Sequence, residues 1–192
     1  MIASVILPVK NEPYLPVILK QLEGYEVLVQ RELGLANAVL HGVKLAHGEA
    51  IVILDADGSH NPKYISEMLK YLSVFDVVVG SRYVNGGGTE DYFLRMLLSR
   101  LFCKLARFIL RIHVNDCMSG FIVAKREVFE QLNLKPLGYK FGLEIIAKSK
   151  GKFRVAEFPV YFEKRKMGIS KTGFGQGIKT FAFIMKLWME TL

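Results

Sequence analysis

Residues Ile51-Val-Ile-Leu-Asp55-Ala-Asp57-Gly58 constrain this chain more than any other stretch, because four apolar residues run straight into two carboxylates one residue apart. A run this short and apolar reads as a strand buried on both faces, as in sheets covered by helices on either side. In open α/β sheets ligands gather beyond the carboxyl ends of the strands, which is where this pair falls. Carboxylate oxygens suit a hard cation, Mg²⁺ or Mn²⁺, that completes its shell with water and substrate phosphates. An Asp-X-Asp can equally be a turn or a helix N-cap, since Asp bonds its own backbone in both places. The flanking sequence has to decide.

Strands predicted at 3–9, 26–30, 50–54 and 76–80 alternate with helices at 13–22 and 35–46 and with one opened by Asn61-Pro62 that runs to about Leu72. Such alternation implies a wound α/β half. Beyond it come a Gly-rich link (Asn85-Gly86-Gly87-Gly88), a long helical segment at 92–112, strands near 120–124 and 154–162, a second Gly-rich loop at 168–177 and a C-terminal helix. The 192 residues fit one domain with one core, divided into halves at 1–83 and 84–192.

The net charge of +8 calls for an anionic partner. No zinc-finger pattern, aromatic RNA-binding signature or basic arm is present, so nucleic acid is disfavoured and a phosphorylated small molecule or an anionic membrane surface remains. No apolar window reaches the ~18 residues of a membrane span, and the N-terminus reads as a first strand rather than a signal peptide, so a cytoplasmic placement is expected. Cys103 and Cys117 have no metal-type spacing and are expected as thiols. His41, His47, His60 and His113 are scattered, and read as surface or satisfied histidines.

Several short motifs follow one another along the chain: Leu7-Pro8-Val9-Lys10-Asn11-Glu12, Gly34-Leu35-Ala36-Asn37-Ala38, Asp55-Ala56-Asp57, Gly80-Ser81-Arg82-Tyr83 and Asp116-Cys-Met-Ser119-Gly120-Phe121. Gly138-Tyr139-Lys140-Phe141 and Arg165-Lys-Met-Gly168-Ile-Ser170-Lys171 complete the series. In order and rough spacing it resembles family 2 glycosyltransferases, specifically the dolichyl (polyprenyl) phosphate mannose or glucose synthases. The resemblance implies an α/β fold of GT-A type, a Rossmann-like mixed sheet flanked by helices, with a nucleotide-binding half at 1–83 and an acceptor half at 84–192. It also implies inverting, metal-dependent transfer of a hexose from a nucleotide sugar to a polyprenyl phosphate, peripheral at the inner face of the membrane.

Carried onto this chain, the resemblance assigns Pro8, Lys10 and Glu12 to the nucleoside, with Ala56, Ser59 and Lys171 also on the donor side. Asp55 and Asp57 take the cation, whose charge would offset that of the departing diphosphate. Relatives often carry Gln where Ser59 stands, so coordination there would run through a hydroxyl or water. Ser81, Arg82, Arg95 and Arg165 take the acceptor phosphate, for which the planar guanidinium fork is suited. Asp57, Arg82 and Arg165 are the expected catalytic set. Gly168 and the glycines from 173 to 177 would let the last loop close as a lid.

The 92–112 segment carries Arg100, Lys104, Arg107 and Arg111 on one side, with leucines, phenylalanines and isoleucines over much of the rest. Two readings follow: a helix lying in the headgroup plane, or a core helix with a solvated basic stripe. The C-terminal helix near 177–192 is equally apolar, and pattern does not separate core, dimer and membrane contact there.

One departure stands out. The family's second strand ends in an acidic Asp-Asp-Gly-Ser loop that recognises the base, whereas Glu26-Val-Leu-Val-Gln30 leads directly into Arg31-Glu32-Leu33-Gly34, so one strand–helix unit is missing. Glu32 is the nearest substitute. The loss is expected to expose a sheet edge and favour a homodimer. Two competing functions remain: a glycosyltransferase with a soluble hydroxyl acceptor, needing Glu144 or Asp116 as general base, and a non-catalytic paralogue that binds membrane or partner through the basic helix. A sugar-nucleotide pyrophosphorylase is disfavoured, because Leu7-Pro8-Val9-Lys10 contains no glycine.

Overall fold

In a computed structural model of the protein, residues 2–10, 12–31, 34–135, 140–164 and 174–191 are described. Period-2 alternation of Val, Ile and Leu builds the strands β1 (Ala3–Pro8), β2 (Glu26–Gln30), β3 (Ala50–Ile53) and β4 (Val77–Ser81). Helices α1 (Leu15–Gln21), α2 (Leu35–Leu45) and α3 (Ile65–Tyr71) connect them. As the Asn61-Pro62 signal predicts, Asn61 caps a 3₁₀ turn ahead of α3, its side chain accepting the Lys63 N–H. The second half contributes β5 (Gly88–Thr89), α4 (Phe93–Leu110), β6 (Ile122–Lys125), α5 (Arg126–Gln131), α6 (Phe141–Ser149), β7 (Val155–Pro159), β8 (Tyr161–Phe162) and α7 (Phe174–Glu190).

The main sheet has the order β2-β1-β3-β6-β4-β7. β6 is antiparallel to both neighbours, and the other pairings are parallel. Alternate residues of one strand therefore feed two cores. Ile6, Ile51, Ile53, Val77, Val79 and Ile122 face the side covered by α2, α4, α6 and α7. Val5, Leu7, Val52, Leu54, Val78 and Val123 face the side covered by α1 and α3. Each such side chain contributes roughly 1.5–3 kcal/mol by leaving water.

One strand departs from the sequence expectation. The strand expected at 154–162 is broken after Pro159: β7 stays in the main sheet, while β8 pairs with β5 in a separate two-stranded ribbon. Neither two-residue strand is long enough to show a period. At the shortened front, β2 lies directly beside β1 in parallel register, with Pro8 opposite Gln30. β2 is thus the sheet edge the sequence anticipates.

The start of that edge strand is pinned by side chains. Glu26 accepts hydrogen bonds from the Ser4 hydroxyl and from the His47 backbone N–H (2.9 Å), and its other oxygen lies 2.6 Å from His47 Nδ1. Led by the Ser4 bond, these contacts hold the Glu26 carboxyl down at about 2.

Candidate active site

β1 and β3 are neighbours in the sheet, so their carboxyl ends place Pro8 beside the segment that carries Asp55 and Asp57. Pro8 is half-buried, Lys10 is exposed and Glu12 is half-buried at the entry to α1. Asn11 and Glu32 lie outside the described residues, as do Arg165, Gly168, Ser170 and Lys171.

The acidic turn is built by local bonds. Gly58 takes a positive φ of 81°, a conformation that suits glycine, and it turns the chain so that Ser59 faces back. Asp57 Oδ1 accepts both the Ser59 N–H (2.9 Å) and the Ser59 hydroxyl (2.5 Å). Ser59 therefore orients Asp57. Ala56 does not line an open surface; its side chain is core. Asp55 keeps 35% of its side chain exposed. A Cβ on Gly120 would come within 3.2 Å of Asp55 Oδ2, so a residue without a side chain keeps that approach open.

His60, read from sequence as one of four unremarkable histidines, is a buried brace for this turn. Its Nδ1 accepts the Asp55 N–H at 3.1 Å, which places the ring proton on Nε2, 4.0 Å from Asp55 Oδ2. The ring stacks on Phe121 (centroids 5.5 Å apart) and tilts against Phe162 (4.3 Å). Its position three residues past Asp57 was the available signal. Spacing alone does not show that a ring points back at the strand end.

Phe162 joins the acidic turn to the basic group. One side of it meets His60, and the Arg82 guanidinium lies 5.0 Å from its ring centroid. The Glu163 N–H bonds Ser59 O (3.1 Å), and Asn61 Nδ2 donates to Glu163 Oε1 (3.2 Å), so the chain entering the 165–173 segment passes beside the Asp57–Ser59 turn.

Arg82 is buried at the end of β4. Its Nε and backbone N–H both donate to Asp116 Oδ2 (2.7 and 3.0 Å), and its Nη2 donates to Asp116 Oδ1 (2.8 Å) and to the Ser99 hydroxyl (3.2 Å). Burial works against the guanidinium charge, but the bonds and charge of Asp116 outweigh it and raise the Arg82 pKa. Asp116 is in turn fixed by Glu157, which accepts the Asp116 and Asn115 N–H groups. Ser81 is fully buried, and its hydroxyl accepts the Tyr83 N–H (3.2 Å), so it shapes the turn that presents Arg82. Lys140 also reaches this neighbourhood: burial first, then the Arg82 charge, lowers its pKa. Arg95, on the first turn of α4, donates to Asp91 Oδ1 at 2.8 Å.

The two candidate general bases are occupied elsewhere. Asp116 is fully buried against Arg82. Glu144, 1% exposed, pairs with Lys148 at 2.6 Å and accepts the Lys135 N–H, which ties α6 to the segment after α5.

Helix α4 turns its apolar stripe outward. Phe93 (72%), Leu97 (50%), Leu101 (59%) and Phe108 (84%) are exposed, and the opposite face, with Cys103, Ala106 and Leu110, enters the core. Helix α4 divides between the two readings: Phe102, Leu105 and Ile109 pack against the core and Arg100 and Lys104 are solvent-exposed, while Leu97, Leu101 and Phe108 are left uncovered. No helix among the described residues is long and apolar enough to cross a membrane.

Comparison with known proteins bears on the family and the fold. The chain is 38% identical over 145 residues to the dolichol-phosphate mannosyltransferase of Pyrococcus furiosus, covering 73% of this chain and 41% of that protein. It is 32% identical over 164 residues to the polyprenol monophosphomannose synthase of Mycolicibacterium smegmatis, covering 81% and 62%. The chain therefore spans less than two thirds of either relative. Glucosyl-3-phosphoglycerate synthase from Mycobacterium tuberculosis, solved with phosphoglyceric acid, superposes with a TM-score of 0.72 at 16% identity, over 98% of this chain and 80% of that one. The same enzyme with Mn²⁺, UDP-glucose and phosphoglyceric acid gives 0.69 at 14% identity. These likenesses establish the GT-A fold, a six-stranded mixed sheet flanked by helices. The model of glycosyl transferase family 2 matches residues 11–132, and the chain belongs to that family.

Proposed function

We propose that this chain transfers a hexose from a nucleotide sugar to a polyprenyl phosphate at a membrane surface, with inversion at the anomeric carbon. The observation that carries the reading is the junction at Phe162, where a carboxylate turn and a buried arginine meet across one ring. An acidic strand end suits a cation and a diphosphate, and an arginine at its flank suits a second phosphate.

Asp55 and Asp57 fit a Mg²⁺ or Mn²⁺ ion. Both offer hard oxygen donors, Ser59 fixes the orientation of Asp57, and Gly120 keeps the approach to Asp55 open. No group of three or more metal-ligating side chains occurs among the described residues, so water and substrate phosphates would have to supply the remaining ligands. Such an ion would offset charge on the diphosphate as it leaves.

A phosphate monoester carries roughly −1.5 to −2 charges near neutral pH, so it is already a nucleophile. In one in-line displacement, its oxygen bonds to the anomeric carbon as the bond from that carbon to the nucleoside diphosphate breaks. Arg82 and Arg95 hold and orient the attacking phosphate, and the family resemblance adds Arg165 to the acceptor side and Lys171 to the donor side. No residue has to remove a proton. That suits a site whose two candidate bases are tied up in ion pairs, and it disfavours a hydroxyl acceptor.

The outward stripe of α4, flanked by Arg100, Lys104 and Arg107, supports docking on an anionic bilayer that presents the acceptor. The edge position of β2 supports a homodimer, and light scattering from a clean monomer at high concentration would remove that part.

The test is incubation of the purified protein with GDP-mannose or UDP-glucose, Mn²⁺ and a short-chain polyprenyl phosphate, with products read by mass spectrometry. The names of the two relatives put mannose first. A hexosyl phosphate lipid is the expected product. Failure with every donor, alongside normal binding to anionic vesicles, would favour the non-catalytic paralogue.

A further inference from the structure

Asp91 stands between the two arginines assigned above to the acceptor. Its Oδ2 lies 3.6 Å from Arg82 Nη1, and its Oδ1 accepts from Arg95 Nη1 at 2.8 Å. Asp116 already takes Arg82 Nε and Nη2, so Nη1 is the edge of that guanidinium turned toward Asp91. The Asp91 side chain is only 15% exposed. A carboxylate bridging two guanidinium groups occupies the position in which an incoming phosphate would be gripped, since Arg forks bind carboxylate and phosphate oxygens in the same way.

We propose that Asp91 is a built-in competitor for the acceptor phosphate, displaced from Arg82 and Arg95 when that phosphate binds, and that it thereby selects for a dianionic acceptor. The argument rests on the polyprenyl-phosphate reading for the identity of the ligand, but on geometry alone for the site. Two partly buried arginines need a counter-charge, and Asp91 supplies one. A phosphate monoester, with three oxygens and nearly two charges, outbids one carboxylate. A neutral hydroxyl or a monoanion does not. Asp91 can yield without unwinding α4, because it precedes the helix N-cap Tyr92 and its backbone N–H is held separately by Thr89 Oγ1 (3.1 Å).

The experiment compares wild type, Asp91→Asn and the double variant Asp91→Asn/Arg95→Ala. Inorganic phosphate is the first probe, read by NMR from the Nε–H signals of Arg82. A short-chain polyprenyl phosphate and the matching unphosphorylated alcohol follow, read by calorimetry. Removing one like charge from the site should tighten phosphate binding about tenfold in Asp91→Asn, one pK-sized step of interaction. The double variant should lose that gain, and alcohol binding should not change. Weaker or unchanged phosphate binding by Asp91→Asn, with the fold intact by circular dichroism, overturns the proposal. Tighter inorganic phosphate binding without any response to the phosphorylated lipid leaves Asp91 as the competitor and overturns the lipid reading instead.

Discussion

The Arg82 guanidinium lies edge-on to the Asp116 carboxylate, Nε to Oδ2 at 2.7 Å and Nη2 to Oδ1 at 2.8 Å, with Asp116 wholly buried. Such a pair is weak evidence for stability, because both charges give up water to form it. Its value here is placement. It fixes two of the three guanidinium nitrogens and leaves Nη1 facing the start of α4.

Removing one partner strands the other, so Asp116→Ala should cost about 3–5 kcal/mol, the range for breaking a buried ion pair. Asp116→Asn, which keeps the shape and one acceptor oxygen, should fold, yet let Arg82 swing and weaken binding of the acceptor while nucleotide binding holds. Urea denaturation with parallel titrations of nucleotide and phosphorylated acceptor checks this. Equal losses for both ligands would mean that the pair supports the whole site.

Asp57→Ala removes one of the two proposed cation ligands and the acceptor for both Ser59 bonds. Two buried hydrogen bonds are worth about 1–3 kcal/mol together, which the fold can lose. Transfer, by contrast, should fall about 100-fold or more once charge on the departing diphosphate is not offset. Thermal melting and Mn²⁺-dependent nucleotide binding separate the two effects. Normal turnover by this variant would reject the metal assignment.

Much of this was legible from the chain because it rests on short-range pattern. The apolar run before Asp55 gives β3 and puts the carboxylates at its end, and Asn61-Pro62 gives the start of the next helical segment. What escaped depends on contacts distant in sequence. Arg82 reads as a phosphate ligand with its whole fork free until Asp116, 34 residues on, is seen to take Nε and Nη2 and leave Nη1. Glu144 reads as a candidate base until it is seen to be buried and to accept the Lys135 N–H, and His60 looks idle until Phe121 and Phe162 wall it in. The exposure of Leu97 and Leu101 was undecided for a related reason. Helical periodicity defines a stripe, but only packing decides which side of the helix the core covers.

Glu26 ties β2 to Ser4 and His47 and keeps its charge down to about 2, against an ordinary value of 4.5. Folding thus lowers this pKa, and near the acid range the unfolded chain binds more protons than the folded one. The contribution is fully present above pH 4.5 and is lost as the pH falls from there toward 2. Glu26→Gln should therefore be less stable than wild type near neutral pH, with the gap closing on acidification. Denaturation curves at several pH values check it. A gap that stays constant down to acid pH would assign the effect to shape rather than charge.

Leu97, Leu101 and Phe108 are exposed by half or more on α4, whereas the helix is anchored by Cys103, Ala106 and Leu110 on its other face. Replacing the exposed three with serine should change stability by no more than about 0.5 kcal/mol each, since surface positions carry little packing. If the stripe enters a headgroup layer, each loss should instead cost about 1–2 kcal/mol of membrane affinity, as expected for apolar area returned to water. Lys104→Gln and Arg107→Gln should weaken binding to anionic vesicles and leave binding to neutral ones unchanged, because headgroup charge acts only through the cations. Vesicle co-sedimentation with phosphatidylglycerol and with phosphatidylcholine, alongside transfer to a water-soluble short-chain acceptor, reads both terms. Retained activity on the short acceptor with lost activity on the long one would locate the stripe's role in reaching the bilayer. Loss of both would place α4 in the proposed acceptor site itself, next to Arg82, to which Ser99 is bonded.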